Sequence, residues 1–490
     1  MERQKTCTIK TIGDFLESLQ SKKVIFWLED EKIKYKAPSG TITKADLNVI
    51  KENKELVFQY LKQCMPSTEE AEQAFPLTSI QNAYLLGSDD AYELGGINAH
   101  YYMELECKEI QHEQLNEAFN EVIRHTEALR TVVLAGGLQT VLYNVPEYQI
   151  EEFDFEKEEE RISMRQKWSH CKFDYRRWPL FHMRLSKIKG QKSRIHFDFD
   201  CIIMDAWSAK MMVTKIFEVY HKKEVKWPKY TFRQYCFDEI EYKKSNPDTK
   251  ALEYWKKVAP KLPNGPALPY KKELACIQNH RFERLTEKLT KEETAKLYQI
   301  FKEKRVTPAA VICTIYMKTL AQHSEHSEFA LNLTLFNRMT LHEDIQDVLG
   351  DFTNIGVAKF KGGNADIWEN VKFVQKQFWN LVRFHAFDGT QILKIAAPVN
   401  YGKAVFPVVF TGVLQGDRKR KRFIPEDVEE GYAVSQTPQV VLDYQATDFN
   451  GELLMNWDYV TEAFEQELIQ EMFQENVMRV RKLLNGQPDV

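Results

Sequence analysis

The sequence lacks the paired cysteines that mark structural zinc sites. Its eight cysteines, at positions 7, 64, 107, 171, 201, 236, 276 and 313, include no CxxC pair. Scattered cysteines are typical of reduced thiols, so we predict a cytoplasmic protein without a metal site. An excess of one charge is also lacking, because the formal net charge is −4 over 490 residues. This balance argues against a nucleic-acid or membrane surface, and no apolar run is long enough to span a bilayer.

Several common catalytic motifs are missing as well. The chain contains no glycine-rich phosphate loop, no HExxH and no GxSxG. These absences argue against a nucleotide-binding fold of standard type, a zinc protease and a serine hydrolase of the α/β class. The hydrophobic fraction of 43% and the charged fraction of 28% are those of a globular protein with two or three domains.

Residues 1–65 have the pattern of a small separate module. Ile12, Phe15, Leu16 and Leu19 follow the spacing of an amphipathic helix. The stretches VIFWL (24–28) and KIKYK (32–36) predict two strands of a hairpin with the turn EDE between them. Thr43 is placed to cap one further helix, which carries its apolar residues between positions 47 and 61.

From Phe75 onward, helical and strand patterns alternate, which predicts a mixed α/β architecture. The proline-rich stretch KLPNGPALPYKKE (261–273) indicates a junction between two lobes, which we assign to residues 70–250 and 251–490. Near the end, PQVVLDYQATDFNGELLMNWDYV predicts a hairpin with an Asn450-Gly451 turn, and a terminal helix is expected from about Thr461.

The main chemical signal is the acidic stretch DFDCIIMDAWS (198–208), which follows a strand. Such a cluster is compatible with a metal site, an acid/base pair or a loop brace. It lacks the glycine and distal glutamate of a calcium loop, and no histidine lies at ligand spacing. We therefore favour bracing for Asp205 and an N-cap for Ser208 on the following helix.

Other candidate groups have a structural reading that we prefer. The basic run RKRKR (418–422) is compatible with a phosphate contact, but a solvated loop is favoured. His100 and His125 stand alone beside apolar runs, and Cys201 ends a strand, so structural roles are favoured for all three.

Eight motifs in order resemble one family, the heterocyclization domain of nonribosomal peptide synthetases. They are FPLTSIQNAYLLG (75–87), RHTEALRTVVLAGGLQ (124–139), DCIIMDAWS (200–208), VTPAAVICTIYMKTLAQHS (306–324), LTLFNR (333–338), GDFTN (350–354), FPVVFTG (406–412) and SQTPQVVLDYQ (435–445). The N-terminal module is similar to the TubC-type β-hairpin docking domains of some synthetase subunits. Its strand with Lys32, Lys34 and Lys36 is the expected edge for an acidic tail of the upstream subunit.

The resemblance implies a chloramphenicol acetyltransferase-like condensation fold, in which two lobes form a V-shaped pseudo-dimer. A small α+β docking domain precedes this fold in the chain. It implies that partner carrier proteins present their thioesters on phosphopantetheine, with no cofactor bound by this chain. The amine of a Cys, Ser or Thr thioester attacks the upstream acyl thioester, and its side chain then closes a thiazoline or oxazoline with loss of water.

The resemblance also assigns roles to individual residues. Asp443 is the implied proton shuttle, and Thr411 is its implied hydrogen-bonding partner. Gln445 lies on the same face of the predicted strand, so from its position we predict that it orients Asp443. The remaining motif residues are implied to hold the tunnel wall: Asp200, Cys201, Asp205, Ser208, Asn337 and Arg338. Cys201 takes the position of the catalytic histidine of ordinary condensation domains, and Asp205 is expected to pair with Arg338.

Two other functions stay open at this point. One is a domain that condenses without cyclizing, and the other is a silent gatekeeper that only binds carrier proteins. The chain carries no adenylation domain and no carrier serine in a Gly-Gly-x-Ser context. We therefore expect either a piece of a larger synthetase or a protein that works with partners in trans.

Overall fold

The computed structural model describes residues 9–20, 22, 24–29, 32–362, 366–399, 402–414, 425, 428–448 and 451–487. The basic run at 418–422, Asn450 of the predicted turn and positions 30 and 31 of the N-terminal turn lie outside these ranges. The strands are β1 Ile25–Glu29, β2 Lys32–Lys36, β3 Phe75–Pro76, β4 His100–Cys107, β5 Thr131–Leu134, β6 Leu138–Val141, β7 Glu151–Phe155, β8 Phe181–Ile188, β9 Ser193–Asp200, β10 Phe282–Lys288, β11 Phe329–Phe336, β12 Thr353–Phe360, β13 Val408–Val413, β14 Val428–Gln436, β15 Leu442–Thr447 and β16 Leu454–Val460.

The helices alternate with these strands, so the predicted mixed α/β architecture is confirmed. They are α1 Ile9–Gln20, α2 Lys44–Glu52, α3 Lys54–Cys64, α4 Thr68–Glu72, α5 Ser79–Gly87, α6 His112–His125, α7 Glu158–Trp168, α8 Ala206–Tyr220, α9 Phe232–Ser245, α10 Thr249–Val258, α11 Lys291–Glu303, α12 Pro308–His323, α13 Ile367–Arg383, α14 Gly389–Ala396 and α15 Gln466–Leu484. The terminal helix begins five residues later than Thr461, because residues 461–463 form a turn against the second lobe.

The N-terminal module has its own core, formed by α1, the β1–β2 hairpin and α3. Thr43 caps α2 through a capping box with Asp46, as the sequence predicts. The single helix expected from Thr43 onward is wrong, because the chain breaks at Asn53 into α2 and α3. The break lets the buried Val57 and Leu61 of α3 face α1 while α2 stays on the surface.

The first lobe is built on a five-stranded sheet in the order β14-β4-β9-β8-β7. Helices α6 and α8 pack together over one face and share its apolar core. All eight residues of β9 are buried, so both faces of this strand are covered. The polar side chains of this strand are therefore held in a network, in which Asp198 pairs with Arg184.

The second lobe is built on a six-stranded sheet in the order β10-β16-β15-β13-β11-β12. Strands β11, β13 and β15 run parallel, while β15 and β16 form the predicted antiparallel hairpin. The helices α11, α12, α13 and α15 contribute to the core on one face of this sheet. Its other face looks toward the first lobe.

One strand crosses between the lobes. Strand β14 comes from the second half of the chain, yet it pairs antiparallel with β4 at the edge of the first-lobe sheet. A single boundary at residue 250 therefore does not divide the chain fully into the two lobes. The crossing strand pairs backbone groups of β4 that would otherwise be unpaired at the edge of the sheet. The two lobes are thus joined by main-chain hydrogen bonds as well as by side chains.

Candidate functional site

A cavity of about 260 Å³ lies between the two sheets. The first lobe contributes residues of β4, β9 and α8 to its wall, and the second lobe contributes residues of β10, β11, β13, β15 and β16. The crossing strand β14 supplies Glu430 to Ala433 and Ser435 along one side. Because residues that point to one face of a strand recur every second position, the second-lobe sheet presents alternate residues of each strand to the cavity.

Asp443 is a buried carboxyl in the wall of this cavity. The Gln445 side-chain amide donates from Nε2 to Asp443 Oδ2 at 2.9 Å. On the other side, Thr411 Oγ1 lies 3.0 Å from Asp443 Oδ1 and 2.9 Å from Thr334 Oγ1. The Thr411 hydroxyl has one hydrogen, which it donates to Asp443 Oδ1. The Thr334 hydroxyl is therefore the donor in the hydrogen bond between the two threonines. Both oxygens of Asp443 are therefore held by donors that face the cavity.

The electrostatics of this carboxyl suit proton transfer near neutral pH. Burial raises the pKa of Asp443 to about 6, and the charge of Asp458 acts in the same direction. The hydrogen bonds from Gln445 and Thr411 favour the charged form and limit the rise in this pKa. A carboxyl that titrates close to the working pH can take up a proton and return it within one reaction.

A buried ion pair that we did not predict supports this group. Arg284 of β10 donates from Nε to Asp458 Oδ1 at 2.7 Å and from Nη2 to Asp458 Oδ2 at 2.5 Å. The same Nη2 donates to Gln445 Oε1 at 2.7 Å. Asp458 stands directly opposite both Arg284 and Asp443 in the sheet register. The sequence signal for this pair was Asp458, an acidic residue within the otherwise largely apolar strand LLMNWDYV. Its partner Arg284 lies 174 residues earlier in the chain.

The acidic cluster that follows β9 ties the two lobes together. Asp205, and not Ser208, caps α8, because its carboxylate accepts from the Ser208 backbone N–H at 2.7 Å. The N-cap prediction for Ser208 is therefore wrong. Its hydroxyl instead donates to Gly350 O at 2.7 Å and accepts from Arg338 Nη2, also at 2.7 Å. Arg338 also lies 3.5 Å from Asp205 Oδ1, so the expected pair is present.

Other predicted residues surround this contact. Asp200 is buried and accepts from the Asn98 amide at 2.7 Å and from the Ile202 backbone N–H at 2.9 Å, which holds the loop. Burial raises the pKa of Asp200 to about 7. Asn337 lies outside the cavity wall and donates to His385 O at 2.7 Å.

Asp351 was not predicted as a site residue. It is buried, and its Oδ2 has no hydrogen-bond partner among the described residues. Burial and the neighbouring charge of Asp205 raise the pKa of Asp351 to about 8. Because burial disfavours the charged form, Asp351 is held largely in its neutral form at neutral pH.

Cys201 lines the cavity, but its thiol is not activated. Burial and three nearby aspartates raise its pKa well above the ordinary value, so the thiol keeps its proton. The two histidines have structural surroundings. His100 is fully buried against Asp198, and His125 stacks on Trp227 at the surface of the first lobe. The described cavity wall therefore offers no histidine base.

One group of side chains in the described residues is close enough to hold a metal ion: Cys171, His182 and Asp198. The His182 ring lies 2.9 Å from Asp198 Oδ2, and Arg184 donates to Asp198 Oδ1 at 2.7 Å. Cationic donors already occupy both oxygens of this carboxylate. The arrangement is therefore complete as a hydrogen-bonded ion pair in the first lobe.

The N-terminal hairpin presents its predicted lysines to solvent. Lys32, Lys34 and Lys36 are exposed and alternate with Ile33 and Tyr35 along β2. Within the described chain, β2 pairs with β1 and with no other strand. As for membrane spans, no described helix combines the length and the apolar character needed to cross a bilayer.

Comparisons with known proteins match both the N-terminal module and the two-lobed part of the chain. A condensation domain model matches residues 71–487, and a TubC N-terminal docking domain model matches residues 12–63. Among solved structures, the EpoB NRPS cyclization-docking bidomain from Sorangium cellulosum superposes with a TM-score of 0.77 at 26% identity, covering 97% of this chain and 98% of that one. The teicoplanin X-domain, at 14% identity and a TM-score of 0.67, shares the fold.

Curated relatives are much longer proteins. Bacitracin synthase 1 of Bacillus licheniformis is 29% identical over 86% of this chain, and pyochelin synthetase PchF of Pseudomonas aeruginosa is 27% identical over 96% of it. Phenyloxazoline synthase MbtB of Mycobacterium tuberculosis is 27% identical over 84%. The chain spans 8%, 27% and 30% of the lengths of these three relatives. With the model match over residues 71–487, the chain belongs to the condensation domain family and carries a TubC-type docking domain before it.

Proposed function

We propose that this chain performs heterocyclization for a nonribosomal peptide synthetase. It joins an upstream acyl or peptidyl thioester to a carrier-bound Cys, Ser or Thr, and then cyclizes the new amide with loss of water. The observation that carries the proposal is the hydrogen-bonded set of Thr411, Asp443 and Gln445 in the wall between the lobes. The similarity to a cyclization-docking bidomain over 97% of the chain supports it.

The condensation step needs placement more than proton chemistry. The amine of the downstream amino acid attacks the acyl carbonyl, and the upstream carrier leaves as a thiol that takes up a proton. Cys201 stands where an acyltransferase would need a histidine base, and its thiol keeps its proton. Holding both thioesters in one passage supplies most of the advantage in such a reaction. The junction of Asp205, Ser208 and Arg338 fixes the two lobes for this purpose.

The cyclization step uses Asp443. The Cys, Ser or Thr side chain adds to the amide carbonyl and gives a ring carbon that bears a hydroxyl beside a ring N–H. The Asp443 carboxylate takes the proton from this nitrogen and passes it to the hydroxyl. The hydroxyl leaves as water while the carbon–nitrogen double bond forms, so atoms and charge balance. Thr411 and Gln445 hold the carboxylate for both transfers.

The partners follow from the same proposal. Carrier domains upstream and downstream deliver the substrates on their phosphopantetheine arms, and this chain holds no cofactor of its own. The upstream subunit adds an acidic C-terminal tail as a strand to the open edge of β2, where Lys32, Lys34 and Lys36 are exposed. Main-chain hydrogen bonds provide affinity there, and the lysine charges select the acidic tail.

A reconstitution tests the function directly. The full chain is mixed with an acyl-loaded upstream carrier and a cysteinyl-loaded downstream carrier, and intact-protein mass spectrometry follows the downstream carrier. We expect its mass to rise by the acyl group and then to fall by one water. Acyl transfer without water loss would indicate a domain that only condenses. Carrier binding with no transfer from any donor would indicate a gatekeeper.

A further inference from the structure

We infer that Arg284 is a positioning residue for the cyclization step, because its guanidinium sets the orientation of the Gln445 amide that holds Asp443. The inference rests on the proposed function and extends it to a strand that contributes none of the motif residues. Arg284 contacts neither Asp443 nor Thr411 by a hydrogen bond in the described structure. Its effect therefore reaches the carboxylate through Gln445.

The Arg284 side chain is itself held in one position. Its side chain is 5% exposed, and Asp458, which accepts two of its hydrogen bonds, is fully buried. Asp458 Oδ2 also accepts from the Ser435 backbone N–H at 3.0 Å, so the crossing strand β14 helps to hold the pair. A bidentate pair of this kind keeps the planar guanidinium in one orientation.

The hydrogen bonds of the Gln445 amide allow only one of its two orientations. An amide carries two donor hydrogens on nitrogen and only acceptor capacity on oxygen. Arg284 Nη2 donates to Oε1, so the reversed amide would bring N–H groups against N–H groups. Nε2 must then face Asp443, where it donates to Oδ2 at 2.9 Å. Arg284 thus selects the one orientation in which Gln445 stabilises the carboxylate.

These groups lie in two neighbouring rows of the second-lobe sheet. Arg284, Asp458 and Asp443 occupy one row across β10, β16 and β15, while Gln445 and Thr411 occupy the next row across β15 and β13. All five side chains but Asp458 line the cavity. The positively charged group facing Asp443 is Arg284, and the negatively charged one is Asp458. These two charges shift the pKa of Asp443 in opposite directions, and the hydrogen bond from Arg284 to Gln445 adds a fixed orientation of the amide.

The test separates orientation from charge. The double variant Arg284→Leu/Asp458→Asn removes both charges together and keeps an acceptor for the Ser435 N–H, which limits the loss of stability. We expect cyclodehydration to slow about 10²-fold and the uncyclized amide to accumulate, with condensation within about twofold of the wild-type rate. Arg284→Lys keeps the positive charge but loses the planar guanidinium that forms two hydrogen bonds with Asp458. We expect cyclodehydration to remain slow in this variant. A wild-type rate of cyclodehydration in Arg284→Lys would overturn the role of Arg284 in orientation.

A control of matched chemistry is available in the first lobe. Arg184 and Asp198 form a similarly buried pair outside the cavity wall. In Arg184→Leu/Asp198→Asn, any loss of stability should slow condensation and cyclodehydration by the same factor. If the Arg284 variants likewise slow both steps equally, Arg284 has only a structural role and the inference is wrong.

A second measurement does not depend on the proposed function. In the full chain labelled with ¹⁵N-glutamine, the Gln445 side-chain amide is assigned by its loss in Gln445→Leu. We expect slow hydrogen exchange of this amide in the wild type and exchange at least tenfold faster in Arg284→Leu/Asp458→Asn. Equal exchange in both proteins would overturn the inference. Failure of the wild type to cyclize any substrate would instead contradict the proposed function, while the exchange data still decide the role of Arg284.

Discussion

Asp443 and Asp458 are two buried carboxyls that stand directly opposite each other on neighbouring strands. Their hydrogen-bond partners differ, and we therefore assign them different roles. Arg284 pairs with Asp458 through two hydrogen bonds and leaves it no free oxygen. Among the described residues, Asp443 receives only neutral donors, from Thr411 and Gln445, and it faces the cavity. One carboxylate is thus locked as a counter-ion, while the other is free to exchange a proton.

Replacing the free carboxyl should stop cyclization and spare condensation. In Asp443→Asn, we expect cyclodehydration to fall by ~10²–10⁴ because the amide cannot accept the ring N–H proton. Mass spectrometry of the downstream carrier should then show the uncyclized amide. Asp448→Asn is the control, since Asp448 is a buried carboxyl one residue beyond β15 that accepts from Tyr298 at 3.0 Å. Equal loss in both variants would contradict the role of Asp443.

The pH dependence should differ between the two half-reactions. Burial raises the pKa of Asp443 to about 6, and the base must be ionised to accept a proton. The rate of cyclodehydration should therefore fall as the pH drops through about 6, whereas condensation should lack this limb. Single-turnover rates of each step across the pH range make the comparison. A limb shared by both steps would point to a group other than Asp443.

Ser208 should matter for the lobe junction and not for proton transfer. Ser208→Ala removes hydrogen bonds to Gly350 and Arg338 and leaves buried polar groups unpaired. We expect a loss of ~1–3 kcal/mol in the free energy of unfolding and an equal slowing of both half-reactions. Thr214→Ala, which removes a half-buried hydroxyl on the same helix, should cost less than ~1 kcal/mol. Denaturant unfolding with the two-step assay measures both.

Asp351 should reduce stability as the pH rises. Its carboxyl has a pKa of about 8 in the folded protein against 3.8 as the ordinary value, so folding takes up a proton between these limits. The stability that Asp351 provides is complete below about pH 4 and is lost as the pH rises through about 8. Asp351→Asn binds no proton and should gain at least ~1 kcal/mol over the wild type at about pH 8, with a smaller difference at about pH 5.

Thermal melts at several pH values measure this difference. The amide introduced by Asp351→Asn can keep the hydrogen bond that Asp351 Oδ1 accepts from the Thr353 N–H at 3.0 Å, so the change is mainly one of titration. A difference in Tm between variant and wild type that does not grow with pH would show that another group is responsible.

The docking prediction is tested by reversing charge on β2. The variant Lys32→Glu/Lys34→Glu/Lys36→Glu should bind the C-terminal peptide of the upstream subunit at least about tenfold more weakly. The affinity of the wild type should decrease with added salt, because exposed charges are screened. Fluorescence anisotropy of the labelled peptide measures both effects.

A second triple variant controls for net charge. Lys51, Lys54 and Lys62 are exposed on α2 and α3 of the same module, outside strand β2. Reversing these three lysines changes the net charge equally and should leave peptide affinity within about twofold of the wild type. Equal weakening by both variants would mean that the tail responds to overall charge and not to the strand edge.

Local patterns in the sequence determined the pieces of this protein. The N-terminal helix and hairpin, the Thr43 capping box and the β15–β16 hairpin follow from spacing and turn chemistry within about twenty residues. The placement of Asp443 and Gln445 on one strand face follows from the period of a β-strand. Local patterns did not distinguish between two possible caps for α8. Asp205 caps this helix, and Ser208 does not, because the Ser208 hydroxyl binds Gly350 and Arg338.

Only the tertiary structure decided how these pieces meet. Parallel pairing of β13 with β15 brings Thr411 to Asp443, and antiparallel pairing of β10 with β16 brings Arg284 to Asp458 and Gln445 across more than 160 residues of chain. The crossing strand β14 joins the lobes in the same way. Strand pairing depends on edges that are far apart in the sequence, and no local pattern of residues encodes which edges join. For that reason the family resemblance could point to Asp443 as a site residue, while no feature of the sequence pointed to Arg284.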